Sequence, residues 1–383
     1  MKTGIDRQSK VIVELIKKVA NSLNGEYVKI MDFCGTHEHT IVYSGIRSLM
    51  PENVELVAGP GCPVCITPAH YVDAVIKLAM DGVRVYTYGD TYLLPGSEPP
   101  HSGKPRTLAD ARALGADVVI VYSLLEAIKH HKKHGGESVF LAVGFETTAP
   151  STASAVVNKL IPEGLTLLNA HRLTPPIMRY TFEKHRHAPI RGVIAPGHVS
   201  TIVGAGAWKF VPRDYGIPTV VAGFEALDVL TAIFYILLML KGGKPKLINQ
   251  YKRAVKWDGN PTAKRLINEC CDVVDASWRG LGIVPMSGLR FRDKYKSIDA
   301  VHQYGLRELE TREWKYDLPP GCRCAEVTLG LAKPTDCPLF MKTCKPGVPY
   351  GPCMVSSEGA CSVWARFGGG GLVEEIVKDL GLE

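Results

Sequence analysis

Along the first two-thirds of the chain, short apolar runs alternate with longer stretches whose apolar residues recur at helical spacing. Residues 28–33, 54–58, 83–88 and 118–122 are near-continuous apolar runs, and each ends in a loop rich in Gly, Pro, Thr or Ser. Runs without in-and-out alternation predict strands buried on both faces, as in a parallel sheet covered by helices. The pattern restarts after Gly135-Gly136, with further runs at 138–143, 165–169, 192–195 and 218–222. Val143-Gly144-Phe145-Glu146 is echoed by Ala222-Gly223-Phe224-Glu225, each closing a strand and opening a helix. The expected fold class is therefore α/β, with two Rossmann-like parallel-sheet domains over 26–135 and 136–240.

Beyond Leu240 the texture changes. Gly242-Gly243-Lys244-Pro245 reads as a linker, followed by a helix near 246–256 and short strands near 272–274 and 282–284. From Pro319 on, glycine, proline and cysteine dominate, and apolar periodicity is too sparse to hold a shape without a staple. Residues 1–25 read as one amphipathic helix, assigned with 241–383 to a third, smaller, Cys-rich domain.

Composition adds limits. The chain has 383 residues, 46% of them apolar and 22% charged, as in a soluble globular protein of two or three domains. The net charge of +7 is mild and scattered. Its one dense patch, residues 129–134, reads as a solvated helix end rather than a nucleic-acid contact. Residues 229–240 form the longest apolar run, too short to span a bilayer, and residues 1–24 are charged and amphipathic rather than leader-like. A cytoplasmic protein is expected, bound neither to membrane nor to nucleic acid. Eleven cysteines in a reducing compartment point to metal or redox chemistry.

The chemistry gathers at two places. In Gly59-Pro60-Gly61-Cys62-Pro63-Val64-Cys65 a Cys-x-x-Cys pair sits between a strand end and a helix opened by Thr67-Pro68. Open α/β sheets bind ligands at such strand ends, and a helix amino end favours thiolate. The same grammar carries Cys34-Gly35-Thr36-His37-Glu38-His39, so Cys34, His37, Cys62 and Cys65 are expected on one rim. Asp90, Glu146 and His198 follow other strands; each either lines the cleft between the α/β domains or caps a helix.

The second place is carboxyl-terminal. Cys322, Cys324, Cys337, Cys344, Cys353 and Cys361 lie among turn-forming residues that can wrap a metal group. Four thiolates suit a [4Fe–4S] cluster or a structural zinc; the absence of paired Cys-x-x-Cys knuckles favours iron–sulfur. Cys322, Cys337, Cys344 and Cys361 are assigned as ligands, leaving Cys324 and Cys353 as a neighbouring dithiol or disulfide. Cys270-Cys271 reads as core.

With both regions in view, the chain resembles the HypD family of hydrogenase-maturation proteins. The resemblance rests on Phe33-Cys34-Gly35-Thr36-His37-Glu38-His39-Thr40, the Gly59–Cys65 stretch, Gly144-Phe145-Glu146-Thr147-Thr148-Ala149-Pro150, Ala195-Pro196-Gly197-His198 and Gly351-Pro352-Cys353-Met354-Val355-Ser356-Ser357-Glu358-Gly359-Ala360-Cys361. It implies a scaffold that, with the small protein HypC, holds iron on Cys34 while two cyanides and one carbon monoxide are attached. A cysteine of HypC is the other iron ligand. HypE supplies cyanide from a thiocarboxamide made by HypF. The resemblance also implies a [4Fe–4S] cluster in the carboxyl-terminal region. Low-spin iron carrying these ligands suits soft thiolates. His37 is then a ligand, a proton donor to bound cyanide, or a helix cap. Electrons pass from the cluster through Cys324 and Cys353 to Cys62 and Cys65, if the two regions touch. Such a protein is a redox-active scaffold more than a turnover enzyme. The rival is a stand-alone thiol-disulfide oxidoreductase, which leaves Cys34 idle. Nucleotide chemistry lacks support, since neither a Gly-x-x-x-x-Gly-Lys-Ser/Thr loop nor a full Gly-x-Gly-x-x-Gly is present.

Overall fold

The computed structural model describes residues 6–99, 102–185, 190–307, 309 and 317–368. The eight apolar runs all form strands: β1 (Val28–Asp32), β2 (Val54–Ala58), β3 (Arg84–Thr87), β4 (Val118–Ile120), β5 (Ser138–Gly144), β6 (Leu165–His171), β7 (Gly192–Ala195) and β8 (Thr219–Val221). A ninth, β9 (Leu247–Asn249), is followed by a long antiparallel hairpin of β10 (Cys271–Trp278) and β11 (Gly282–Phe291). Every residue of β5 and β6 is buried; β5 is a central strand, and β6, at the end of its sheet, is covered by β11 and the helix Ala300–Gln303.

The strands sort into two parallel sheets, but the division does not fall at residue 135. One sheet runs β2-β1-β7-β8-β9 and the other β4-β3-β5-β6. The chain lays down β1 and β2, leaves to build the whole second sheet, and returns at β7, where Ile30, Met31 and Asp32 pair with Gly192, Val193 and Ile194. Apolar runs mark strands buried on both sides; they carry no information on which strand is the neighbour, so a linear division was the simplest expectation and the topology departs from it.

Three further expectations change. The amino-terminal helix, Arg7–Asn21, does not join the cysteine-rich region; its buried face of Val13, Ile16, Val19 and Ala20 packs with Ile233, Ile236 and Leu237 of the helix Ala226–Lys241 against the first sheet. Residues 246–256 are not a helix. Leu247–Asn249 completes a sheet edge, and the Asn249 side chain donates to the Val255 carbonyl at 2.8 Å, so tertiary pairing overrides local propensity. The strands near 272 and 282 are the opening residues of the two arms of a much longer hairpin. Residues 1–5 and 369–383 of the third expected unit lie outside the described residues.

The basic run at 129–134 ends the helix Leu124–His134 and is only partly solvated. His131 is buried, accepting from the Ser138 hydroxyl at 2.8 Å while its other nitrogen donates to the Glu163 carbonyl at 2.9 Å. Among the described residues no helix is long and apolar enough to cross a membrane.

The cysteine-rich stretch is built from short helices, Cys324–Thr328, Pro352–Val355 and Ala360–Phe367, joined by turns. It is not a separate body. Its cysteines share one apolar cluster with Cys62, Val64, Cys65, Val72 and Val75. The helix Ala360–Phe367 lies on the helix Gly35–Tyr43, where the Trp364 indole N–H donates to the buried Glu38 carboxylate at 2.5 Å and Arg47 covers the Trp364 ring.

Candidate functional site

Two strand ends and one turn of the cysteine-rich stretch meet at the carboxyl edge of the first sheet. Cys34 follows β1 in extended conformation and opens the helix Gly35–Tyr43. The loop after β2 brings Gly61 against it: a Cβ there would lie 2.5 Å from the Cys34 backbone, and the Gly35 N–H donates to the Gly61 carbonyl at 3.2 Å. From the third side, the Glu358 carbonyl sits where a Gly35 Cβ would stand, and the Thr36 hydroxyl donates to the Glu358 carboxylate at 3.2 Å. Only glycine permits backbone to approach backbone this closely. Asp90 holds the third loop, accepting from the Ser356 hydroxyl at 2.9 Å and the Ser357 N–H at 3.2 Å.

Cys34 lines an open cavity of about 320 Å³ with Gly61, Pro63, Phe145, Thr147, Pro196, His198 and Glu358. The helix amino end was expected to favour thiolate, but burial outweighs it. Burial, with the Glu358 carboxylate adding to it, pushes the Cys34 thiol up to about 12 despite the Thr36 and His37 amides. Cys34 is thus a protonated, shielded sulfur unless a cation reaches it.

Cys62 and Cys65 are both buried and joined as a disulfide, with the Cys65 N–H donating to Cys62 Sγ at 3.2 Å. The helix behind them starts at Ala69, one residue later than a Thr67 cap implies. Its first amide is capped from afar by Asp317 at 2.7 Å, while Thr67 bonds the Pro63 carbonyl. A small hollow beside the disulfide is lined by Asp32, Glu38, Thr328, Cys353 and Glu358. Glu358 therefore borders both spaces.

All six carboxyl-terminal cysteines line one further hollow, walled by Leu339, Phe340 and Met354. Cys344 Sγ accepts from the amides of Tyr350 and Gly351 at 3.4 and 3.5 Å, the setting of a sulfur that carries negative charge. Cys353 is hydrogen-bonded by both Cys324 and Cys361, which hold its thiol well below the ordinary range. Thr328 Oγ1 lies 3.8 Å from the sulfurs of both Cys324 and Cys353. Among the described residues no three Cys, His, Asp or Glu side chains converge as around a single ion. Soft thiols in excess of four, an apolar wall and amide donors to sulfur fit a cluster in chemistry. Cys353 alone of the six also faces the disulfide's hollow.

The remaining candidates separate. His198 borders the Cys34 cavity. His37 does not line it; its ring is buried and Nε2–H donates to the carbonyls of Gly223 (2.9 Å) and Ala222 (3.2 Å), and burial lowers its pKa to about 4. Glu146 is turned away too: its carboxylate accepts from the amide and hydroxyl of Thr174, both at 2.8 Å, at the start of the helix Thr174–Lys184, and burial raises it to about 7. Its neighbours Phe145 and Thr147 face the cavity instead. Two acids escaped sequence reasoning. Glu358 lay inside a noted motif, yet a lone acid in a turn has no periodic signal. Asp32 ends β1 with one oxygen accepting from the Cys34 N–H at 3.3 Å; burial and nearby Glu38 raise its pKa.

Residues 8–368 match the HypD family, described as the hydrogenase formation hypA family. The chain belongs to the HypD family. It is 41% identical over 362 residues to a Methanocaldococcus jannaschii protein described as a hydrogenase expression/formation protein, covering 94% of this chain and 96% of the relative. It is 39% identical over 350 residues to hydrogenase maturation factor HypD2 of Bradyrhizobium diazoefficiens, covering 89% of each. It is 38% identical over 359 residues to hydrogenase maturation factor HypD of Cupriavidus necator, covering 91% and 92%. HypD membership assigns the chain to hydrogenase maturation.

Proposed function

We propose that this HypD-family chain is a cytoplasmic scaffold on which, together with a HypC-type partner, the Fe(CN)2CO group of [NiFe]-hydrogenase is assembled, with cyanide delivered by HypE. The iron is cargo. Cys34 holds it from the protein side, in a cavity wide enough to admit a partner's cysteine and three diatomic ligands. Binding requires loss of the Cys34 proton, which the cation itself drives, because a thiol raised by burial becomes a strong ligand once a positive charge offsets the desolvation.

The observation that carries the reading is Cys353, which borders both the six-cysteine hollow and the Cys62–Cys65 disulfide. Cys353 as thiolate attacks one disulfide sulfur, breaking the Cys62–Cys65 bond and forming a mixed disulfide. Cys324, hydrogen-bonded to Cys353, then displaces the second sulfur. The products are a Cys324–Cys353 disulfide and a Cys62/Cys65 dithiol, with two electrons and two protons moved inward. Cys322, Cys337, Cys344 and Cys361 remain to hold a [4Fe–4S] cluster, which when bound supplies single electrons.

The test is anaerobic co-purification with the HypC-type partner, followed by infrared spectroscopy of metal-bound cyanide and carbonyl, for wild type and Cys34→Ala. Bands present in wild type and lost in the variant are expected. Their absence from both, with iron–sulfur absorption intact, supports the stand-alone thiol-disulfide oxidoreductase instead, for which the disulfide beside Cys353 is the favouring observation.

A further inference from the structure

One aromatic group, stacked on the His198 that lines the Cys34 cavity, has no part in the chemistry above. Phe224 lies in the loop between β8 and the helix Ala226–Lys241. His198 stacks on its ring, with centroids 3.9 Å apart and planes 29° apart, and His37 also stacks on it at 4.8 Å and 29°. Tyr251 meets the ring edge-on at 5.8 Å. The backbone is pinned as well: the Thr40 hydroxyl donates to the Phe224 carbonyl at 2.8 Å, and His37 Nε2–H holds the two preceding carbonyls.

Gly197 makes the stack possible. A Cβ there would fall 2.9 Å from Phe224 Cζ and 2.5 Å from the Ala222 carbonyl oxygen. His198, the next residue, is exposed toward the cavity, and no described group hydrogen-bonds either ring nitrogen. An exposed imidazole with no hydrogen-bond partner rotates freely about its two side-chain bonds. Stacking removes that freedom and leaves both nitrogens at the ring edge, available to a ligand in the cavity.

We propose that Phe224 is a positioning residue for His198: held by its stack on His37, it fixes the plane of the His198 imidazole at the cavity that Cys34 lines. The imidazole N–H then meets the outer atom of a cyanide on the cargo iron as a hydrogen-bond donor. The proposal rests on the assembly reading, and His37 serves in it as a buttress.

The test compares wild type with Phe224→Leu, Phe224→Tyr and His198→Gln. The His198 ring protons are assigned by NMR as the signals lost in H198Q. In wild type and F224Y they carry the upfield ring-current shift of a stacked ring; F224L, which keeps apolar bulk, returns them to the free-histidine position. On co-purified complexes, F224L lowers the cyanide band intensity per iron roughly tenfold, in the range of losses on removing supports of metal-site groups, and F224Y restores it. Unmoved His198 signals in F224L overturn the stack. Moved signals with undiminished bands overturn the positioning role. Full bands in H198Q also overturn it while leaving Cys34 as iron holder, whereas missing bands in wild type overturn the assembly reading itself.

Discussion

The two cysteine-bearing regions solve one problem by opposite means. Cys34, Cys62 and Cys65 stand on loops fixed by paired strands, with glycine letting backbone touch backbone, so their geometry follows from the sheet. The six carboxyl-terminal cysteines stand on turns and one- or two-turn helices, and what orders them is their shared hollow and their seat against the first region. The sheet-borne site is held by strand pairing; on the proposed reading the turn-borne site is held by a cluster as well. On the proposed reading, a sulfur that holds a cargo and releases it stands on the sheet frame, while thiols that keep a resident group let that group shape the loops.

The largest effect should come from stripping the proposed cluster. Oxidative chelation is expected to expose residues 319–368 to proteases while the sheets stay protected, because turns without periodic apolar support lose their staple. Equal resistance before and after would remove the contrast. Next, Gly61→Ala forces a Cβ against the Cys34 backbone at 2.5 Å. It should cost about 3 kcal/mol or more in denaturant unfolding, whereas Gly347→Ala, with open space around it, should be neutral.

A third effect concerns Glu146, whose pKa burial raises from 4.5 to about 7. The native state then holds a proton that the unfolded chain has lost, so this group's contribution to stability is full below about 4.5 and declines as pH rises through about 7. The loss amounts to roughly 3 kcal/mol. Glu146→Gln should flatten that part of the stability profile, and an unchanged slope would refute the assignment. The smallest effect is at the seam: Trp364→Phe removes the N–H that Glu38 accepts, and should loosen the helix Ala360–Phe367 by about 2 kcal/mol, read as faster amide hydrogen exchange there than in β5.

Much of this was legible in the chain. The strands declared themselves because both faces are buried, and the loops at Cys34 and Cys62 because strand, turn and helix signals coincide. The pairing of β1 with β7 was not, since neighbours in a parallel sheet leave no mark in a one-dimensional pattern. Nor was the docking of the first helix, whose apolar stripe fits any apolar partner. Glu146 and His37 looked like site residues because they follow strand ends; their hydrogen bonds to Thr174 and to the 222–223 carbonyls turn them inward. Glu358 was hidden for the opposite reason, lying in a turn where only the meeting of three distant loops gives an acid its meaning.

The way the chain leaves the first sheet and returns has a consequence for the order of events during synthesis. β3 to β6 are contiguous and can close on one another as soon as residue 171 has emerged. The edge that holds Cys34 stays open until β7 arrives from beyond residue 190, and its last wall, the turn at Glu358, comes near the end. Contacts so far apart in sequence form late. A ribosome-bound chain therefore exposes Cys34 and the Cys62–Cys65 pair well before Cys353 exists to meet them, so the three-loop site is completed only late in synthesis.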